Sequence, residues 1–113
     1  MQVLKAATSP KKVGASRDMV TLLRIQATDK HVVEFDNVDT RFNDCSNWQV
    51  MEGDKRILFS TRTHERFSDI KAGVLATIVV CENRATASDT AMLESAKAMM
   101  KVLDACPSFG ALV

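Results

Sequence analysis

Two histidines, His31 and His64, and three cysteines, Cys45, Cys81 and Cys106, are the side chains from which a nucleophile, a general base or a metal site would be built. None sits in a pattern that such chemistry needs. His64-Glu65 lacks the second histidine four residues on that a helical zinc motif requires, and it falls in a polar stretch. An odd cysteine count with no C-x-x-C spacing writes neither a disulfide framework nor a zinc knuckle, and fits a reducing compartment. Cys81 lies in the apolar run Ile78-Val79-Val80-Cys81, whereas Cys45, among Asn43, Asp44 and Ser46, is expected to be exposed. The glycines Gly14, Gly53, Gly73 and Gly110 are isolated, so no phosphate loop is present, and there is no G-x-S-x-G elbow. No catalytic residue, metal ligand or cofactor is expected.

Charge is the next chemical resource. The net charge is +1, but it is segregated along the chain. Residues 1 to 30 carry six Lys/Arg against two acids, 31 to 54 one against six, 55 to 71 five against two, and 72 to 113 three against four. Two physical readings follow. Basic and acidic strands can pair across a sheet, each pair contributing about 0.2–1 kcal/mol. Alternatively, two basic segments side by side make a phosphate-binding surface.

The elements that would position these residues are mostly strands. Met19 to Thr28 and His31 to Val38 alternate around Thr28-Asp29-Lys30 and read as a hairpin. Trp48 to Glu52 and Arg56 to Thr63 read as a second hairpin around Gly53-Asp54. Alternation along the last strand sends Ile57, Phe59 and Thr61 to one face and Arg56, Leu58, Ser60 and Arg62 to the other. Gln2 to Thr8 is expected to be a further strand, with Ser9-Pro10-Lys11-Lys12 turning out of it. His64 to Ala72 reads as a polar loop, and Gly73 to Glu82, the most apolar run, as a central or interface strand.

One helix is expected near the C-terminus. Thr86 can cap it, Asp89 three residues on completes an approximate capping box, and Pro107 stops it. Met92, Ala96, Met99 and Leu103, with Met100 beside them, share one apolar face. That face fits its own sheet or a partner's equally well, and the tail Phe109-Gly-Ala-Leu-Val113 adds apolar surface. The fold class is therefore α+β, a single domain over residues 1–113, an antiparallel meander followed by a helix. At 113 residues such a domain buries only about two-thirds of its unfolded surface, which makes help from a second subunit plausible. No run approaches the roughly 18 apolar residues of a membrane span, and no signal peptide is legible.

The C-terminal third resembles the coat proteins of single-stranded RNA bacteriophages. The residues that carry this are Leu75-Ala-Thr-Ile-Val-Val80, the polar break Glu82-Asn-Arg-Ala-Thr-Ala-Ser-Asp89, the helix Met92 to Leu103, and the Pro-containing apolar tail. The resemblance implies an N-terminal hairpin, a five-stranded antiparallel sheet, and C-terminal helical structure crossing onto a second subunit's sheet, giving a homodimer with one continuous sheet. It further implies assembly into an icosahedral shell in a bacterial host's cytoplasm, with RNA on the inner sheet face and repression of translation through an RNA hairpin. The chain has no tyrosine, so the stacking tyrosine of the family has no counterpart, and the loop Glu65 to Ala72 is short.

On this reading the dimer interface is Met92, Ala96, Met99, Met100, Leu103 and Phe109, so a charge at Met99 is expected to break the dimer. The single-stranded RNA contacts are Arg24, Gln26, Arg56, Ser60 and Arg62. Two alternatives stand beside it: a small dimeric α+β regulatory module that does not form shells, and an enzyme or ligand-binding domain using Cys81 or His31 in a sheet-helix cleft.

Overall fold

The computed structural model describes residues 1–10, 19–84 and 86–113. Five strands, β1 (Gln2–Pro10), β2 (Met19–Gln26), β3 (His31–Val38), β5 (Asn47–Glu52) and β6 (Lys55–Ser60), form an antiparallel sheet in the order β1-β2-β3-β5-β6. The short strands β4 (Asp44–Cys45) and β7 (Glu65–Arg66) pair separately. Two helices follow, α1 (Phe67–Glu82) and α2 (Ala87–Asp104), and then a 3-10 turn at Phe109–Ala111. The α+β class and both hairpins are as the alternation predicts. The turn expected at Ser9-Pro10-Lys11-Lys12 lies partly outside the described residues, and β1 runs through Pro10.

Gly73 to Glu82 is helix, not strand, and this corrects the sequence reading. The buried residues of α1 are Phe67, Ile70, Val74, Ile78 and Cys81, a repeat of three to four. The run is apolar on every side, which hides the period: a short apolar stretch cannot be assigned to strand or helix by alternation that is absent. The start of α1 is anchored from outside, because the Phe67 amide donates to the Asn43 carbonyl at 2.9 Å. With 75–80 helical, the final strand that helped carry the phage-coat resemblance is not there.

The cap of α2 is as predicted. Thr86 Oγ1 accepts from the Asp89 amide at 3.1 Å, and its hydroxyl also meets the Asp89 carboxylate. Asp89 then sits at the positive end of the helix dipole. The helix ends at Asp104, before Pro107.

α2 lies on β3, β5 and β6, and α1 packs beside it. Leu23, Ile25, Val33, Phe35, Trp48 and Val50 from the sheet meet Met99, Val102 and Leu103 from α2 in one core. Each such side chain stabilises by about 1.5–3 kcal/mol when fully buried. The tail closes the cluster. Phe109 meets Phe35 edge-on at 5.0 Å and Phe67 at 5.1 Å, inside the range favoured by aromatic quadrupoles.

This packing buries four of the six predicted interface residues within one chain. Ala96, Met99, Leu103 and Phe109 are each 0% exposed within one chain. Its own sheet covers the apolar face of α2 in the single chain. Met92 and Met100 are half-buried, Met100 against the core. Cys45, expected to be exposed, is buried as well.

Candidate nucleic-acid interface

α2 takes one face of the sheet, and among the described residues no helix covers the opposite face. Strand register decides what it presents. One row crosses all five strands as Lys5, Arg24, Glu34, Gln49 and Phe59. Next to it on one side lie Val32, Met51 and Arg56, and on the other Asp36 and Asn47.

Alternation places Phe59 on the face opposite Arg56, and a bulge puts the two on the same face instead. The Gly53-Asp54 turn pairs Glu52 with Lys55 and Met51 with Arg56, but the register then slips, so that Val50 meets Leu58 and Gln49 meets Phe59. The extra residue is Ile57. A one-residue slip sends every later side chain to the other face. Leu58 and Ser60 therefore turn toward the core face, opposite Val50 and Trp48, and Phe59 turns out, 48% exposed.

Of the five predicted RNA contacts, Arg24 and Arg56 lie on the open face. Arg24 Nε is 3.4 Å from Glu34 Oε1, and Gln49 Nε2 donates to the other Glu34 oxygen at 3.0 Å. Arg24 thus takes part in the cross-strand pairing that charge segregation also allowed. Arg56 lies over the Phe59 ring, 4.0 Å from its centroid. Arg62 is exposed beyond the end of β6. Ser60 is misplaced by the bulge, and Gln26 is committed elsewhere: its amide donates to the Thr28 and His31 carbonyls and holds the β2–β3 turn.

A small recess opens beside Phe59, lined by Asp36, Asn47, Gln49, Arg56 and Thr61. Burial, and then the neighbouring Glu34, hold the Asp36 carboxyl above its ordinary value. Asn47 Oδ1 is buried there without a hydrogen-bond partner among the described residues. One ring face of Phe59 is thus backed by a guanidinium beside a polar recess, an arrangement suited to a planar ligand. Sequence reasoning missed Phe59, Asn47 and Gln49. No residue type announces the bulge that brings them together.

The histidines and cysteines do not converge. His31 is buried and its Nδ1 lies 2.8 Å from Thr28 Oγ1, while His64 Nδ1 lies 3.9 Å from Asp44 Oδ2. Among the described residues no three His, Cys, Asp or Glu side chains cluster as a metal ion would need, and no helix is long and apolar enough to cross a membrane. Compared with known proteins, the chain matches no family model, no curated protein and no solved structure.

Proposed function

We propose that this protein is a coat-type structural subunit that binds single-stranded RNA on the open face of its sheet. The observation that carries the reading is the Arg56–Phe59 stack on a sheet face that no helix among the described residues covers. Phe59 supplies a ring where the chain has no tyrosine, and base stacking on an aromatic side chain is worth about 1–3 kcal/mol. Arg56 and Arg62 are exposed cations at or just beyond that platform, and Lys5 is exposed at the far edge of the same row. Glu34 does not oppose a phosphate as a bare charge, since Arg24 and Gln49 already engage it.

The test is RNA binding by purified protein as a function of salt. Phe59→Ala should weaken binding roughly 5- to 150-fold, the equivalent of one stacked base, with little change in salt slope. Arg56→Ala should lower the slope by about 0.7, one phosphate of a single strand. Wild-type protein that binds no RNA, or variants that bind like wild type, would overturn the RNA reading.

A second reading is a small α+β interaction module that forms no shell, and the helical state of 75–80 favours it. Electron microscopy of expressed protein separates the two: closed particles holding RNA support the first, soluble small oligomers the second.

A further inference from the structure

A second recess lies between the β2–β3 turn and α2, on the helix side of the sheet, and His31 lines it. His31 opens β3 on the face that carries Val33 and Phe35 into the core, and it is only 4% exposed. The turn is fixed by its own hydrogen bonds. The Ala27 amide donates to the His31 carbonyl at 3.0 Å, and the Thr28 hydroxyl oxygen accepts from the His31 amide at 3.0 Å and the Lys30 amide at 3.2 Å. Those two amides fill both lone pairs of the hydroxyl. Its hydrogen is therefore donated, and the acceptor, 2.8 Å away, is His31 Nδ1. An imidazole that accepts at Nδ1 carries its hydrogen on Nε2. Nε2 is buried and has no hydrogen-bond partner among the described residues. A buried donor without a partner is rare in a folded protein, and this one is free for an acceptor from outside the chain.

We propose that this recess binds a small phosphate ester, with a phosphate oxygen accepting from His31 Nε2–H and the ammonium groups of Lys30, Lys97 and Lys101 gathered around it. Lys97 and Lys101 stand one turn apart on α2, and Lys30 comes from the turn opposite. Among the described residues none of the three is ion-paired. Lysine holds phosphate as a point charge on a flexible stem. His31 adds what the lysines lack, a donor whose direction Thr28 sets. Asp29 and Glu94 line the same recess, so three cations there face two carboxylates. Ionised carboxylates repel a bare anion but accept hydrogen bonds from hydroxyls. The lining therefore favours a phosphate carried on a hydroxylated skeleton, a sugar phosphate, over free phosphate.

The recess lies on the opposite side of the sheet from Phe59, so this assignment and the RNA assignment fail separately. The experiment is nitrogen-edited NMR of imidazole and backbone N–H groups in wild type, in His31→Phe and in the double variant Lys97→Ala, Lys101→Ala. Each is titrated with ribose 5-phosphate, with inorganic phosphate, and with sodium chloride at matched ionic strength. In free wild type, His31 should be the Nε2–H tautomer. Ribose 5-phosphate should move that resonance saturably and bind more tightly than inorganic phosphate, while chloride leaves it in place. His31→Phe, which keeps a ring in the buried site, should weaken binding about 10-fold or more. Both lysines are exposed, so the double variant keeps its fold and tests the site even if His31→Phe does not fold. It should weaken binding about 5-fold or more. Phe59→Ala should bind ribose 5-phosphate as wild type does. An Nδ1–H tautomer, an Nε2 resonance that ribose 5-phosphate leaves unmoved, or a double variant that binds like wild type would each overturn the inference. An end-phosphorylated oligonucleotide that binds at His31 where ribose 5-phosphate does not would overturn it in favour of an RNA terminus.

Discussion

Asn43 Oδ1 accepts a hydrogen bond from the Phe109 amide at 2.9 Å, joining the β3–β5 connection to the C-terminal tail. The same residue accepts from the Phe67 amide through its carbonyl, and its backbone sits at φ 53°, in the left-handed region. Asn43→Ala should cost roughly 2–3 kcal/mol, from the strained φ together with the lost hydrogen bond. Asn43→Gly keeps the backbone conformation accessible and should cost about 1 kcal/mol less. Urea denaturation of the two variants separates these contributions; equal losses would show that φ is not what selects asparagine.

Met99 is fully buried beneath the sheet within one chain. Met99→Ala should destabilise the chain by about 2–5 kcal/mol through a cavity under the sheet. The folded fraction should keep the wild-type association state. A variant of unchanged stability that only dissociates would return α2 to a subunit boundary.

Cys45 gives stability a pH dependence. Its thiol is pushed up to about 12, first by burial and then by Glu65, Asp44 and Asp36. The unfolded thiol ionises near its ordinary value of about 8.5, so the folded state holds more protons between the two. That stability is fully present below the unfolded value and is lost as pH rises toward the folded one. The urea midpoint should therefore fall above about pH 9, and Cys45→Ala should flatten the fall. For the same reason, native Cys45 should resist thiol reagents near neutral pH until the chain is unfolded. Rapid labelling of native protein would contradict the burial.

Gly73 lies inside α1, and a Cβ built there meets nothing within 4 Å. Gly73→Ala should stabilise the helix by about 0.5–1 kcal/mol, since alanine loses less backbone freedom on folding. Thermal or urea unfolding reads this directly. A loss of stability would mean that the position is crowded.

Legibility in the sequence followed the physics of each segment. Strands with one buried face, such as Val33-Glu34-Phe35-Asp36, carry their alternation openly, and their hairpins were readable with their turns. Thr86 and Asp89 announced α2. Two features hid for different reasons. α1 conceals its period because Leu75, Val79 and Val80 are as apolar as the Val74 and Ile78 they flank. The β6 bulge depends on how Trp48 and Val50 pack beneath α2, and nothing in Arg56-Ile-Leu-Phe-Ser60 marks which residue is skipped. The candidate site inherits that second gap: Arg24 and Arg56 were found from charge, and Phe59 was not.

The strand order β1-β2-β3-β5-β6 means that every pairing in the main sheet joins neighbours in sequence or spans only the short β4 connection. Such local closures are quick in folding, so the sheet can form soon after its residues leave the ribosome. Its apolar face, however, is covered by α2 and by Phe109, which are synthesised after every strand of it. Throughout translation of residues 61 to 103 the nascent chain presents Leu23, Ile25, Phe35 and Trp48 without their cover. The vulnerable interval of this protein's life is therefore its synthesis, and stop codons or pauses within α1 would release a sheet whose exposed face invites aggregation.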